Sequence, residues 1–330
     1  MITRLPRVAI VGAGVTGLTC AAMLAQHGIA PVVYEKSRGP GGRLATRRRD
    51  DGLSFDHGAQ YFTARSAGFR AVVDAAQRSG AIRRWTPVVA AGVERASADP
   101  WFVGAPTMNA WLKPIANALD LRTQAEAVRF ESDGGRWRIA FKTGEASEPY
   151  DVIVSSAPVV QARVLAAADA ALVAALADVS MAPCWAVMAA FESRIAVDFD
   201  VARPEAGALA WIARNATKPD RGYVETWVLH ASPDWSTAHL EDDAADVERV
   251  LLQTFADLVG ALPAVRYATA HRWRYALTTR PLGQPYATNA AGTLFLGGDW
   301  TLGPRIECAH DSGVAMAAAV LQRAGVTGDS

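Results

Sequence analysis

The stretch Val8-Ala-Ile-Val-Gly12-Ala-Gly14-Val-Thr-Gly17 decides the fold of this chain. Its apolar start predicts a buried strand, and the glycines that follow predict a tight turn into a helix over residues 18–26. A second apolar run, residues 31–34, predicts another strand that ends directly before Glu35. Strand, glycine turn, helix and strand in this order indicate a Rossmann-type βαβ unit at the start of the chain.

Each residue type in this segment has a physical reason in dinucleotide binding. Gly12 permits the tight turn, Gly14 lets the backbone approach a pyrophosphate, and Gly17 lets helix and strand pack closely. Free N–H groups at the helix start attract phosphate charge, and Glu35, eighteen residues beyond Gly17, can accept hydrogen bonds from ribose hydroxyls. The nucleotide-binding residues predicted here are Gly12, Gly14, Val15, Thr16, Gly17, Glu35 and Lys36.

Composition restricts the class of protein. The chain has 330 residues, 51% hydrophobic and 20% charged, which is typical of a globular protein of two domains or one large one. Its formal net charge is zero, so nothing indicates binding to nucleic acid or to anionic lipid. Cys20, Cys184 and Cys308 form no disulfide or zinc pattern. No bound metal is therefore expected. Without a secretory signal or an apolar run of about 18 residues, the protein is expected to be soluble and cytoplasmic.

The remainder of the sequence predicts a second domain and a return to the first. Apolar runs over residues 181–191, 208–214, 223–230 and 265–275 predict an antiparallel sheet that packs against a helix over residues 242–259. An alanine-rich helix over residues 159–177 is expected to connect the two domains. Near the C-terminus, a strand, the turn Gly297-Gly298-Asp299 and a final helix repeat the nucleotide-domain pattern.

The predicted fold class is therefore α/β, with a discontinuous Rossmann-type domain and an α+β substrate domain that contains an antiparallel sheet. The first domain is expected to comprise residues 1–70, 105–160 and 285–330. The second is expected to comprise residues 71–104 and 161–284.

Three segments together carry a family resemblance: Gly12 to Gly17 with Glu35, then Gly41-Gly42-Arg43, then Gly298-Asp299 with the closing helix. In this combination the chain resembles the flavin-containing amine oxidase superfamily, and within it the renalase-like proteins. The segments that support the narrower resemblance are Asp56-His-Gly58-Ala-Gln60-Tyr-Phe62, Met108-Asn109, residues 227–230, His271-Arg-Trp273-Arg-Tyr275 and Gly297-Gly-Asp299-Trp300.

The resemblance implies non-covalently bound FAD. Glu35 would hold the adenosine ribose, Gly42 and Arg43 the pyrophosphate region, and the Val128 backbone the adenine. Asp299 would bind the ribityl or pyrophosphate part. Residues 308–313 would place the N-terminus of the last helix against the flavin, where its N–H groups stabilise negative charge. Further cofactor contacts are implied for Gly58, Ala59, Gln60, Ala309 and Ser312. Cys308 is expected to be an inert buried thiol rather than a covalent attachment point.

The resemblance further implies oxidation of misreduced nicotinamides, the 2- and 6-dihydro isomers of NAD(P)H, with oxygen reduced to hydrogen peroxide. The candidate substrate-pocket residues are Gln60, Tyr61, Trp211, His230, Trp273, Arg274 and Tyr275. Core packing is an alternative role for each tryptophan and histidine, and a sheet-surface charge is the alternative for Arg274. An oxidase of a small amine and a flavin-binding protein without turnover remain alternative functions.

Overall fold

The computed structural model describes residues 4–90 and 98–326. In the described residues the strands are β1 (Val8–Val11), β2 (Val32–Tyr34), β3 (Thr46–Arg48), β4 (Ser54–Asp56), β5 (Ile82–Trp85), β6 (Trp101–Gly104), β7 (Asp120–Arg122), β8 (Ala127–Asp133), β9 (Arg136–Phe141), β10 (Val152–Ser155), β11 (Ser180–Phe191), β12 (Val201–Ala202), β13 (Leu209–Arg214), β14 (Glu225–Ala231), β15 (Val265–Arg280), β16 (Ala287–Thr288) and β17 (Leu294–Leu296). The α-helices are α1 (Val15–Gln26), α2 (Ala67–Arg78), α3 (Lys113–Asn117), α4 (Val159–Leu165), α5 (Ala170–Ala174), α6 (Pro233–Ala238), α7 (Ala244–Val259) and α8 (Ile306–Arg323).

The chain divides into two compact units, and unit 1 comprises residues 1–42, 112–181 and 278–330. Its sheet has the strand order β16-β17-β10-β1-β2-β7, in which β16 alone runs antiparallel to its neighbour. Strands β1 and β10 are buried at every residue, as expected for parallel strands covered on both faces. The predicted Rossmann-type architecture is confirmed.

The C-terminal segment completes this sheet. Strand β17 pairs with β10 in parallel, and helix α8 packs against α1. The two helices approach closely because Gly313 has no side chain: an added Cβ would lie 2.5 Å from the Thr16 carbonyl oxygen. The predicted discontinuity of the nucleotide-binding fold is thus confirmed.

Unit 2 comprises residues 43–111 and 182–277. Its main sheet has the order β12-β13-β14-β11-β15, and the pairs β12–β13, β13–β14 and β11–β14 are antiparallel. One face of the sheet forms an apolar core with helix α7, through Leu251 and Phe255. A smaller core joins Phe55 of β4 to Met188 and Val228. The predicted antiparallel sheet is confirmed.

One expected helix differs from the structure. The single helix expected over residues 159–177 is two short helices, α4 and α5, because Asp169 begins a new helix by accepting a hydrogen bond from the Leu172 N–H at 2.9 Å. Residues 43–70, expected in the nucleotide domain, lie in unit 2, where Phe55 joins that unit's core. Residues 91–97 of the expected substrate domain fall outside the described residues. The predicted domain limits stay a prediction.

Helix α8, with 18 residues, is the longest helix of the described chain. Within residues 4–90 and 98–326, the structure holds no helix that is both long and apolar enough to cross a membrane.

Candidate functional site

The glycine turn of unit 1 combines close packing with one open side. Gly12 has φ +101°, and an added Cβ would lie 2.4 Å from the Ser156 hydroxyl oxygen. A Cβ on Gly17 would lie 2.0 Å from the Gly12 carbonyl oxygen, so both glycines are required by packing. A Cβ on Gly14, by contrast, would meet no protein atom within 4 Å. Helix α1 begins at Val15, and Gly14 provides no side-chain cap, so its first N–H groups face this open side.

Glu35 and the second glycine segment border the same turn. Glu35 is buried, and its two carboxylate oxygens accept hydrogen bonds from the Ala13 and Ser37 N–H groups, both at 2.8 Å. Each oxygen keeps a lone pair for a further donor. The Gly41 N–H donates to the Ala13 carbonyl at 2.9 Å, and a Cβ on Gly42 would lie 3.7 Å from the Gly14 Cα. The two glycine segments therefore meet, while the predicted Lys36 is exposed.

Val128 lies at an irregularity of the β8–β9 hairpin. The register pairs Ala127 with Phe141 and Arg129 with Ala140, so Val128 has no opposite residue. An extra residue of this kind is left out of the hydrogen-bonded ladder, and its main-chain groups are available to another partner. Val128 is 39% exposed, which makes the predicted main-chain contact with an adenine sterically feasible.

The C-terminal segment carries the last predicted cofactor contacts. Helix α8 begins at Ile306, so its first-turn N–H groups belong to residues 306–308, which overlap the start of the predicted segment 308–313. The Ala309 N–H already donates to the Arg305 carbonyl at 3.2 Å. The Ser312 hydroxyl is fully buried and accepts a hydrogen bond from the Gly298 N–H at 3.0 Å. Both residues therefore use these polar groups inside the protein.

Asp299 remains in a position that suits a ligand contact. Its side chain is buried next to the turn after β17, and its carboxylate accepts a hydrogen bond from the Thr278 hydroxyl at 3.3 Å. A carboxylate can accept hydrogen bonds from several donors, and hydroxyl groups are among them.

In unit 2, the turn after β4 is packed as tightly as the glycine turn. A Cβ on Gly58 would lie 2.0 Å from the Arg43 carbonyl oxygen, which also accepts the Ala59 N–H at 2.9 Å. The same Cβ would lie 3.4 Å from the Trp273 ring. The Arg43 guanidinium, predicted to grip phosphate, donates to the Ala276 carbonyl at 3.0 Å. Arg43 therefore already uses part of its guanidinium within unit 2.

Three histidines surround this turn. The His57 ring stacks on Trp273 at a centroid distance of 5.1 Å and meets the His271 ring edge-on at 4.8 Å. The His57 carbonyl accepts two hydrogen bonds, from the Trp273 indole N–H at 2.9 Å and from His230 Nε2 at 3.1 Å. His57 and His271 are additions to the predicted pocket residues His230 and Trp273.

All three imidazoles are neutral near pH 7. Burial, together with the smaller effects of nearby His271 and Arg47, lowers the pKa of His57 to about 3. Burial likewise lowers the pKa values of His230 and His271 to about 4. Since His230 Nε2 faces a carbonyl, this nitrogen carries the proton and Nδ1 keeps the lone pair. The cluster can accept hydrogen bonds but carries no charge.

A buried ionic cluster lies beside the histidines. Asp56, Lys218 and Arg221 all have fully buried side chains. One Asp56 oxygen accepts from Lys218 Nζ at 3.3 Å and from Arg221 Nη2 at 2.8 Å, and the other accepts from the Thr46 hydroxyl at 2.6 Å. Burial raises the pKa of Asp56, but the two cations lower it more, so the carboxylate stays charged. Burial also lowers the pKa of Lys218 to about 8.

Two further pocket candidates lie in an aromatic cluster. Tyr61 stacks on Trp101 with ring centroids 3.9 Å apart, and Trp211 lies 5.5 Å from Tyr61. Arg203 covers the Trp211 ring and donates to the Tyr61 hydroxyl at 2.9 Å. The buried Trp211 Nε1 has no hydrogen-bond partner within the described chain. Trp211 also pairs with His230 across β13 and β14, so this cluster and the histidines are neighbours in one sheet.

Strand β15 separates the last three pocket candidates. Successive side chains of a strand point to opposite faces, so Trp273 and Tyr275 share one face and Arg274 lies on the other. Arg274 forms two hydrogen bonds with the Glu241 carboxylate, at 2.6 and 2.8 Å, on the exposed side of the sheet. This surface ion pair favours the alternative role of Arg274, a charge on the sheet surface, over a place in the substrate pocket.

Sequence reasoning missed Lys218, Arg221 and Asp56, because more than 150 residues separate Asp56 from its two cations. No fixed spacing marks such a contact. His271 could have been found, since it lies two residues before Trp273 on a strand and so shares its face.

The comparisons with known proteins agree with this architecture. Residues 10–76 match the model of the NAD(P)-binding Rossmann-like domain family. Over 298 residues the chain is 23% identical to renalase of Mus musculus, which covers 83% of this chain and 85% of the relative. The predicted resemblance to the renalase-like proteins is confirmed.

A solved structure supports the same fold. A protein of Exiguobacterium sp. 255-15, provisionally described as a protoporphyrinogen oxidase, superposes with a TM-score of 0.76 at 12% identity, covering 97% of this chain and all of its own.

The match to 15-cis-phytoene desaturase of Synechococcus elongatus is short: 45% identity over 56 residues, or 17% of this chain and 12% of the desaturase. The chain thus spans about an eighth of that relative.

Proposed function

We propose that this protein is an FAD-dependent oxidase that takes hydride from misreduced dihydronicotinamides, the 2- and 6-dihydro isomers of NAD(P)H. The products would be NAD(P)+ and, with oxygen, hydrogen peroxide. One observation carries the proposal: the similarity to renalase extends over 83% of the chain, so it includes residues of both units rather than the nucleotide turn alone.

The residues of unit 1 fit the adenosine and pyrophosphate of FAD. Gly14 leaves an open side at the start of α1, where main-chain N–H groups would bind phosphate oxygens. Glu35 would accept hydrogen bonds from the ribose hydroxyls, and the unpaired main chain of Val128 would bind the adenine edge. When bound, FAD supplies a two-electron acceptor that oxygen can reoxidise.

The residues of unit 2 fit a substrate that needs no proton removed. A dihydropyridine donates hydride directly, so its site requires orientation and exclusion of water rather than a general base. The imidazoles of His57, His230 and His271 are uncharged and packed against Trp273, which gives flat, polarisable surfaces with hydrogen-bond acceptors. His230 Nδ1 would accept from a carboxamide N–H of the substrate.

The test is anaerobic rapid mixing. The purified protein, loaded with FAD, is mixed with 2-dihydro, 4-dihydro and 6-dihydro NAD(P)H and, in parallel, with a panel of small amines. Flavin absorbance near 450 nm is followed, and air is then admitted while peroxide is measured. We expect rapid bleaching with the 2- or 6-dihydro isomers, little with the ordinary 4-dihydro form, and one peroxide per substrate oxidised.

Other outcomes would redirect the proposal. Bleaching by amines but by none of the isomers would identify an amine oxidase. FAD that binds but is never bleached would indicate a flavin-binding protein without turnover. A protein that cannot be loaded with FAD at all would overturn the cofactor assignment.

A further inference from the structure

Lys218 is the least expected residue of unit 2. It follows a short 3₁₀ turn, Asn215–Thr217, and its side chain has no exposed surface. Lysines are almost never fully buried unless another group pairs with the charge. Here the pairing is incomplete, since the single carboxylate of Asp56 faces the two cations Lys218 and Arg221. A buried excess of positive charge is costly, and its retention calls for a role.

The partners of Lys218 indicate that role. Its ammonium donates to Asp56 at 3.3 Å and to Gln60 Oε1 at 3.1 Å, and it lies 5.4 Å above the Trp85 ring. An ammonium has donors only, so it must face the oxygen of the Gln60 amide. The amide nitrogen is thereby directed to the Asp56 carbonyl and to the Gly58 carbonyl, the latter at 3.0 Å.

These bonds hold one turn of the chain. Gln60 is bonded to the carbonyls on either side of His57, and the His57 carbonyl is the acceptor for both His230 and Trp273. The two candidate pocket side chains are therefore anchored to a turn whose shape depends on the orientation of one amide.

We propose that Lys218 is the positioning residue of this pocket, whose buried ammonium fixes Gln60 and, through the turn of residues 56–58, the side chains of His230 and Trp273. Loss of the lysine proton would weaken the bond to Gln60, because charge-assisted hydrogen bonds are roughly twice as strong as neutral ones. The part of the proposal that concerns substrate rests on the proposed function, whereas the part that concerns the turn does not.

The pH at which the hydrogen bond to Gln60 weakens follows from the pKa of Lys218. Its pKa is lowered to about 8, first by burial and then by Arg221, while Asp56 acts in the opposite direction. The neighbouring histidines have pKa values of about 3 to 4, so they do not change charge near pH 8. The Asp56 carboxylate stays ionised because its pKa lies below the usual range.

The first measurement needs neither substrate nor turnover. The wild-type protein is labelled with ¹⁵N in glutamine side chains and tryptophan indoles, and spectra are recorded between pH 6.5 and 9.5. Gln60→Leu and Trp273→Phe identify the two resonances. We expect both to shift with one apparent pKa near 8. Resonances that stay constant over this range would overturn the proposal, and so would a shift that persists in Lys218→Met.

The second measurement links the turn to substrate. With a dihydronicotinamide that the enzyme oxidises, the pH profile of kcat/KM should fall on the alkaline side of about 8, in step with the Gln60 resonance. Lys218→Met should lose on the order of tenfold in kcat/KM at pH 7 and show no such step, because a hydrogen bond from a charged donor is lost. Lys218→Arg, which keeps the charge, should recover part of the loss.

Lys142→Met is the matched control, since Lys142 pairs with Glu126 on the exposed surface of unit 1. It should retain the wild-type profile. If the Gln60 resonance shifts with pH but the kcat/KM profile is flat, only the link to substrate is refuted, and the role of Lys218 in the turn stands. If no dihydronicotinamide is oxidised, the proposed function fails, and the resonances of Gln60 and Trp273 still decide the role of Lys218.

Discussion

The candidate sites of the two units are built from different kinds of chemical group. In unit 1 the site consists largely of main-chain groups, exposed by glycines and by an irregular strand residue, with the buried Glu35 beside the turn. In unit 2 the site consists of buried side chains, among them uncharged imidazoles and the cluster of Asp56, Lys218 and Arg221. A main-chain site depends on where side chains are absent. A site of buried side chains depends on pH and on exact pairing.

The largest expected effect is acid lability confined to unit 2. The pKa values of His57, His230 and His271 are lowered to about 3 to 4 from 6.5, so the unfolded chain binds more protons in this window. The stability that these neutral imidazoles contribute to the fold is fully present above pH 6.5 and is lost as the pH falls toward 4. Between pH 6.5 and its lowered pKa, each histidine reduces the free energy of unfolding by about 1.4 kcal/mol per pH unit. The three together reduce it by several kcal/mol at pH 5.

Hydrogen exchange at pH 7, 6 and 5 would measure this difference, with rates corrected for their intrinsic pH dependence. Peptides from β4, β14 and β15 should lose protection first, and those from β1 and α1 should keep it longer. Equal loss in both units at the same pH would contradict the comparison.

The next largest effect is expected for Asp56→Asn. This change leaves Lys218 and Arg221 buried without a counter-charge, and breaking a buried pair in this way costs about 3–5 kcal/mol. The free energy of unfolding in urea would measure it. Glu241→Gln is the control, because that carboxylate lies on the surface against Arg274, and it should leave the urea midpoint unchanged. Similar midpoints for the two variants would show that the buried cluster contributes no stability.

Three alanine variants would test the glycine turn of unit 1. Gly17→Ala should destabilise by about 1–3 kcal/mol, since its Cβ would lie 2.0 Å from the Gly12 carbonyl oxygen. Gly14→Ala should fold normally but weaken FAD binding, because its Cβ enters the open side. Gly68→Ala in α2 also meets no atom within 4 Å and lies away from the turn, so it should change neither property.

Melting temperature and FAD titration of the apoprotein would separate these outcomes. FAD affinity of Gly14→Ala equal to that of Gly68→Ala would argue against nucleotide binding at this turn.

The smallest effect is expected for Arg274→Ala. The residue pairs with Glu241 on the exposed face of β15, opposite to Trp273, so kcat/KM and melting temperature should both match the wild type. Trp273→Leu should lower kcat/KM, because the stack with His57 and the bond to its carbonyl are lost. If Arg274→Ala reduced kcat/KM as much as Trp273→Leu does, the assignment of faces on β15 would be wrong.

The same contrast explains how far the sequence could predict the structure. Strand β1, the turn and helix α1 follow from local rules, since glycine spacing and apolar runs act within a few residues. The 159–177 helix was not divided in the prediction, because helix ends depend on individual caps such as Asp169.

The buried cluster of unit 2 could not be predicted in this way. Asp56 and Lys218 are joined by folding across 162 positions of the chain, and neither residue type is unusual where it stands in the sequence. Burial in the fold, with Arg221 beside it, lowers the pKa of Lys218 to about 8, although Asp56 acts in the opposite direction. Strand alternation, in contrast, was available from sequence and places Arg274 on the face of β15 opposite to Trp273.

The absence of a side chain at Gly14 has a consequence for specificity. A nucleotide resting there would touch amide hydrogens, which every polypeptide has, so this contact cannot distinguish one redox partner from another. Under the proposed function, choice among substrates would come from residues of unit 2 such as those around His57. Chains could retain the same coenzyme while exchanging only the residues around His57, and thereby acquire new reactions.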